Sequence, residues 1–302
     1  GHANAEGGHS IIIGAAAVQT GTDICGNIII GWETGYAGSF TGLNNVLMGN
    51  QAGCDVTSGG YNTLLGHCAG TNLTSGDDNV AIGRGAGQKG TITGDQNTFV
   101  GSYAGRCASS GARNVALGRC AAPCLNTGND NIIAGWLAGE KVTSGNYNVI
   151  MGYRAANAMT GTSNVALGPD SALFMQGGNY NIAIGYYALR GTEGNADGGC
   201  NIGIGCHSGN SLTDGSNNVF IGAQTGCDIT TGNCNVVIGH KHQPPSTTGS
   251  TQFSIGVGST SWVQGDAGYG VSTSNALEAG TFFQNATSLA TNTTFPASGT
   301  KN

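Results

Sequence analysis

Charged side chains are scarce in this chain. Only 9% of its 302 residues are Asp, Glu, Lys or Arg, and the formal net charge is -6. Coiled coils and other long-helix proteins are rich in Ala, Glu, Lys, Leu and Arg, so this composition excludes them. A nucleic-acid-binding protein carries a concentrated basic surface, which a net negative chain with 10 Lys and Arg does not suggest. We therefore expect no nucleic-acid partner.

Long apolar runs and known catalytic or metal-binding motifs are also missing. No apolar stretch approaches the roughly 18 residues of a membrane-spanning helix, so we expect no membrane span. No CxxC pair occurs, which disfavours a zinc site, and His240, Lys241 and His242 are interpreted as facing solvent. No Ser, His and Asp set has a supporting motif. The sequence thus predicts a protein that is not an enzyme and that holds no cofactor or metal.

Glycine is abundant and periodic. A glycine follows a short apolar run fifteen times between Gly14 and Gly256, and ten of the fourteen intervals between these anchor glycines are 17 residues long. The other four are 16, 18, 18 and 20 residues. Helix-pair repeats exceed about 30 residues, whereas one turn of a β-solenoid is shorter. We predict an all-β fold, a parallel β-solenoid of about 14–15 turns over residues 1–256, roughly 65–70 Å long at about 4.8 Å per turn.

Each repeat offers two segments for a short strand and two glycine corners. The segment Val80-Ala81-Ile82 precedes the anchor Gly83, and a second apolar position, such as Val56, lies in the other half of each turn. Because side chains alternate along a strand, we expect Val80 and Ile82 to point inward and Ala81 to point outward. The glycines fit tight corners, where other residues are disfavoured.

An asparagine opens nearly every repeat. Side-chain amides stacked at the spacing between turns can donate to and accept from one another and from corner backbone groups. We therefore predict a structural ladder. Its clearest members are Asn45, Asn62, Asn79, Asn114, Asn131, Asn148, Asn218 and Asn235.

The strand position predicted to face outward is itself apolar in most repeats. An exposed apolar strip of this length is expected to be an interaction site, so the sequence favours a homo-oligomer. A flattened coil in which both faces of the strand are interior remains an alternative. The predicted interface residues are Leu47, Leu64, Phe99, Ile133, Ile150 and Phe220.

The chain has ten cysteines, which suggests an oxidising compartment. Cys107 and Cys124 are one repeat apart at equivalent positions, so stacked turns would place them at a separation compatible with a disulfide. This is the predicted bridge, and pairings within single turns remain open. Three Asn-x-Ser/Thr triplets, at Asn72, Asn285 and Asn292, are candidate glycosylation sites. We expect an extracellular or virion-surface location.

The unit Asn79-Val80-Ala81-Ile82-Gly83 resembles the Asn-x-Val-Ala-Ile-Gly repeats in the head domains of trimeric adhesins. The longer pattern Asn-x-x-x-Gly-x-x-Ala-Gly is similar to the repeats of phage and algal-virus tail-fibre proteins. The resemblance covers about residues 10–256. It implies a homotrimeric fibre that attaches to a cell-surface glycan or protein receptor. Such fibres often carry a C-terminal self-cleaving chaperone domain, which we expect to be absent here.

Residues 257–302 lose the period and gather aromatic residues such as Trp262, Phe282 and Phe283. They are predicted to form an irregular C-terminal cap, or a tail that reaches the next subunit. The sequence therefore predicts a structural fibrous protein, the shaft of a tail fibre or surface adhesin. The alternative is a subunit of a head-to-tail extracellular filament with a mechanical or matrix role.

Overall fold

The chain folds into a parallel β-solenoid of about 14 turns. The computed structural model describes residues 8–18, 21, 24–36, 39–194, 196–265 and 271–273, and no helix occurs among them. Each turn contributes one short strand, which pairs in parallel with the equivalent strand of the next turn. The strands are β1 (Ile11–Ile13), β2 (Ile28–Ile30), β3 (Val46–Met48), β4 (Thr63–Leu65), β5 (Val80–Ile82), β6 (Thr98–Val100), β7 (Val115–Leu117), β8 (Ile132–Ala134), β9 (Val149–Met151), β10 (Val165–Leu167), β11 (Ile182–Ile184), β12 (Ile202–Ile204), β13 (Val219–Ile221), β14 (Val236–His240), β15 (Phe253–Val257), β16 (Thr260–Gly265) and β17 (Val271–Thr273).

The parallel stack ends at β15, which pairs antiparallel with β16, and β16 pairs antiparallel with β17. The predicted domain boundary after residue 256 falls inside β15. The first residues of the tail, predicted to be irregular, therefore form regular strands. The remaining tail, including Phe282 and Phe283, lies outside the described residues.

The prediction of a second strand in each turn was wrong. The other half of the turn is joined to its neighbours by backbone hydrogen bonds such as Thr57 N to Thr74 O at 2.9 Å. Among the described residues its only ladder pairings are single-residue bridges, Leu73 with Ile92 and Gly21 with Phe40. A regular strand needs several consecutive residues with extended backbones, and left-handed residues at both corners leave too few of them.

The predicted orientation of the strands was also wrong. Leu47, Leu64, Phe99, Ile133, Ile150 and Phe220, which were assigned to an outward interface, are at most 1% exposed. Val80 and Ile82, assigned to the interior, flank the buried Ala81 and are partly exposed. The ladder asparagine lies two residues before this central position and is buried, so alternation turns the central residue inward as well.

The core is narrow and packed by complementary volumes. The ring of Phe99 lies between Ala81 and Ala116 on the adjacent strands. Gly105 packs so closely on that ring that a side chain there would overlap it. Opposite the strands, a second buried column contains residues such as Leu73. Small residues beside large ones allow the turns to keep a constant spacing.

The anchor glycines are required by backbone shape and by the closeness of the turns. Every anchor glycine from Gly14 to Gly239 has a positive φ, from 122° at Gly222 to 146° at Gly239, a region that residues with a side chain avoid. A Cβ on Gly66 would lie 2.8 Å from the carbonyl oxygen of Gly83 in the next turn. Glycine at the anchor therefore allows both the corner and the stacking.

Candidate self-association face

The strands β1 to β15 direct two columns of side chains away from the core. These are the first and third residues of each strand, and we call the two columns the apolar face. Of its thirty positions, two for each of fifteen strands, all but Thr63 and Thr98 are apolar. None carries a charge. Backbone pairing holds the columns in register from β1 to β15.

The apolar face is exposed to solvent in the single chain. Ile13, Met48, Ile132 and Met151 are 40–57% exposed. Fifteen strands at about 4.8 Å and three residues at about 3.3 Å give a strip of roughly 700 Å². The largest apolar patch on a typical monomer is about 300–600 Å². The face is thus larger than an ordinary exposed patch.

Parallel sheets are normally covered on both faces. Here one face packs on the solenoid core, and no described segment covers the other, as the partial exposure of its residues shows. The uncovered face continues along β1 to β15 without a polar interruption except at Thr63 and Thr98.

The predicted asparagine residues form a buried hydrogen-bonded ladder inside the strand edge. The thirteen strand-opening asparagines from Asn27 to Asn235 are at most 2% exposed. Asn131 shows the pattern: its Oδ1 accepts from the backbone N of Asn148 at 3.0 Å, and its Nδ2 donates to Gly145 O at 2.8 Å and to Asn114 Oδ1 at 3.0 Å. Each amide thereby satisfies backbone groups of its own turn and the next.

A second ladder, which was not predicted from the sequence, lies on the outer surface. Two residues before the buried asparagine, a side-chain oxygen accepts a hydrogen bond from the backbone N of the equivalent residue one turn earlier. Asp95 accepts from Asp77 at 2.9 Å, and Asn146 accepts from Asn129 at 2.8 Å. Asp, Asn, Ser and Thr side chains can all accept this hydrogen bond, so no single residue type recurs at this position of the repeat. The shared signal is a short side chain with an oxygen acceptor.

All ten cysteines are free thiols, and the predicted bridge between Cys107 and Cys124 is not formed. The two residues lie on adjacent turns and, with Cys120, line a cavity of about 260 Å³. Burial, and secondarily the neighbouring Cys107, raises the pKa of the Cys124 thiol. Burial and Asp55 raise the pKa of the Cys54 thiol to about 11. These two groups remain protonated at neutral pH and are poor nucleophiles.

The other candidate sites lie apart from the apolar face. Asn72 is partly buried, and its Nδ2 donates to Lys89 O at 3.3 Å, while Asn285 and Asn292 lie outside the described residues. The described residues contain no cluster of three or more His, Cys, Asp and Glu that could hold a metal ion. The part of the chain that the structure describes also has no helix with the length and hydropathy to cross a membrane.

The prediction that His242 faces solvent was wrong. It is 1% exposed, with Nδ1 3.0 Å from Gly258 O and Nε2 2.7 Å from Ser254 Oγ. These contacts join the end of β14 to the hairpin of β15 and β16. The arrangement ties the last turn of the solenoid to the antiparallel strands, and Ser254 is itself fully buried.

Comparison of the chain with protein-family models, curated proteins and solved structures finds no match.

Proposed function

We propose that this protein is a structural rod, the shaft of a homotrimeric surface fibre that mediates attachment. The observation that carries the proposal is the apolar face, which runs along β1 to β15 and includes no charged residue. A face of roughly 700 Å² approaches the 800 Å² that each partner buries in a standard interface. Identical copies of this face would cover one another.

The narrow width of the face favours three copies. The strip is only three residues, or about 10 Å, across, and both of its edges turn away at glycine corners. Three such strips can meet around a common axis and exclude water from all of them, with the solenoids parallel and the strands in register. The resemblance of the repeats to trimeric adhesin heads and viral tail fibres supports the same number of subunits.

Two charged substitutions on the face test the proposal. Ile184 and Ile204 are register partners on β11 and β12, and both point outward. We expect the wild type to have a mass near 90 kDa, three chains of 30.1 kDa. The double variant Ile184→Glu/Ile204→Glu should run as a folded monomer, because burying unpaired charges in an apolar interface is costly. Light scattering after size exclusion measures both masses.

The control adds the same two charges elsewhere. Thr143 and Thr231 are exposed and lie off the apolar face, so Thr143→Glu/Thr231→Glu should keep the wild-type mass. A wild type that stays monomeric at all concentrations, or a face variant that still forms the trimer, would contradict the proposal. Open-ended growth of the wild type would instead support the head-to-tail filament.

A further inference from the structure

The arginines are concentrated on one edge of the rod. We define the first corner as the anchor glycine and the six residues after it. The second corner is the turn around the other repeated glycine, such as Gly128, which lies three residues before a ladder asparagine. Five of the six arginines, Arg84, Arg106, Arg119, Arg154 and Arg190, lie on the first corner within seven turns. The sixth, Arg113, lies on the second corner and pairs with Asp130.

Each first-corner arginine lies against an aromatic ring. Arg84 and Arg106 approach the same Tyr103 ring, with the guanidinium carbons 5.2 and 5.1 Å from its centre. Arg119 is 5.8 Å from the centre of Trp136, and Arg190 is 5.0 Å from that of Tyr187. A cation at such distances is attracted by the ring, which holds the guanidinium in place.

Most of these guanidinium groups retain unused hydrogen-bond donors. Within the described residues, the side chains of Arg84, Arg106, Arg119 and Arg190 donate no hydrogen bond and form no ion pair. The Nε atoms of Arg106 and Arg190 are buried without a partner. A guanidinium has five N–H donors, whose fork geometry matches a carboxylate or sulfate group.

Exposed aromatic side chains continue the same edge. Trp136 and Tyr153 follow successive anchor glycines, with ring centres 5.1 Å apart, and are 49% and 39% exposed. Tyr186 follows another anchor glycine further along and is 44% exposed. These rings are partly exposed beside the arginines, and Arg119 and Arg154 lie over the rings of Trp136 and Tyr153. The side chains of Tyr103 and Arg106 also line the cavity of about 260 Å³.

The two corners carry opposite charge although the whole chain is negative. From Arg84 to His207 the first corner has seven basic residues, namely its five arginines with Lys89 and Lys141, and two acidic ones, Glu140 and Asp170, a net charge of +5. The second corner, counted from the turn around Gly76 to the turn around Gly215, has six aspartates and one arginine, a net charge of -5. Those aspartates are Asp77, Asp78, Asp95, Asp130, Asp197 and Asp214.

We infer that the first corner from Arg84 to His207 is a lateral binding site for an anionic polysaccharide, a sugar polymer bearing carboxylate or sulfate groups. The stacked arginines bind the acidic groups by charge-assisted hydrogen bonds, and Trp136, Tyr153 and Tyr186 cover the apolar faces of sugar rings. The polymer lies along the rod, since the turns that carry these side chains stack at about 4.8 Å along it. This site does not depend on the number of subunits.

The spacing of the charges favours a polysaccharide over a nucleic acid. Single-stranded nucleic acids bind in dense basic grooves that track one phosphate for each nucleotide. Here arginines alternate with uncharged rings over several turns, and an acidic corner lies on the other edge of the strands. An acidic sugar polymer likewise alternates charged groups with uncharged ring surface.

Direct binding measurements with defined polymers test the inference. The probes are alginate for carboxylate, heparin for sulfate, dextran as the uncharged polymer, and single-stranded polythymidylate. We expect the wild type to bind alginate or heparin, to ignore dextran, and to lose affinity as salt rises. The triple variant Arg84→Gln/Arg119→Gln/Arg190→Gln should bind the acidic polymer at least about tenfold more weakly, because charge-assisted hydrogen bonds are lost.

Arg113→Gln is the matched control, since it removes an arginine from the opposite corner and should leave polymer binding unchanged. Trp136→Ser should weaken binding without changing its salt dependence. No binding to either acidic polymer, equal losses for Arg113→Gln and the triple variant, or tighter binding to polythymidylate would overturn the inference. So would conversion of the trimer to monomers by the triple variant, which would identify the edge as a subunit contact. A monomeric wild type that binds alginate would contradict the trimer alone.

Discussion

The variant Gly66→Ala is expected to lose about 4 kcal/mol of unfolding free energy. Gly66 has a φ of 134°, and forcing a residue with a Cβ into such a region costs about 1–3 kcal/mol. The added Cβ would also lie 2.8 Å from Gly83 O and 2.9 Å from its carbonyl carbon. Relieving that overlap must separate two stacked turns, at a further cost of about 1–3 kcal/mol. Denaturant unfolding at fixed protein concentration measures the loss.

Gly258→Ala is a control for a milder backbone strain without close neighbours. Gly258 also has a positive φ, 58°, but a Cβ there would have nothing within 4 Å. Only the backbone cost remains, so the expected loss is about 1 kcal/mol. Equal losses for the two variants would show that the closeness of the turns does not require glycine at the anchor.

The variant Asn131→Asp is expected to lose about 4 kcal/mol at neutral pH, although it keeps the size of the side chain. The Nδ2 of Asn131 donates to Gly145 O and Asn114 Oδ1, and a carboxylate would place a charged acceptor against these two acceptors. Each buried group left without a partner costs about 1–3 kcal/mol, and a buried charge costs more. Thermal and denaturant unfolding measure the change.

The loss should depend on pH. Burial among acceptors raises the folded-state pKa of the introduced carboxyl above its unfolded value. Such a group contributes stability below the unfolded pKa and loses it as pH rises through the folded pKa. The variant should therefore recover part of its stability near pH 4. Asn129→Asp is the control, because Asp77 and Asp95 occupy equivalent positions in this chain. An Asn131→Asp variant as stable as Asn129→Asp at pH 7 would contradict the buried ladder.

The period of the glycines was enough to predict the solenoid, because few folds repeat every 17 residues. The orientation of the strands could not be predicted as reliably as the solenoid. Val80, Ala81 and Ile82 are all apolar, so no alternation of polar and apolar residues distinguishes the two faces. The larger side chains were assigned to the interior. The interior is narrow, however, and its central column accepts residues as small as Ala81 and Gly203.

The ladder asparagine does indicate which face of the strand is buried. Asn79 lies two residues before Ala81, on the same side of an extended chain, and its amide needs partners that the corner backbone supplies inside the coil. The arginine and aromatic edge could not be predicted in the same way. Its members, such as Arg106 and Trp136, occupy several different repeat positions and become neighbours only when the turns stack.

Oxidation of the four methionines of the chain tests whether the outward strand columns are buried between copies. Met48 and Met151 lie on the apolar face and are 40% and 46% exposed in the single chain, whereas Met159 and Met175 are fully buried in the core. Oxidation by dilute peroxide, read by peptide mass spectrometry, reports the solvent access of each side chain.

We expect all four methionines to resist oxidation in the native wild type, and Met48 and Met151 alone to become oxidised in the monomeric Ile184→Glu/Ile204→Glu variant. Rapid oxidation of Met48 and Met151 in the native wild type would show that the apolar face is uncovered. Oxidation of Met159 and Met175 at the same rate as Met48 in the folded monomer would contradict the burial of the core column opposite the strands.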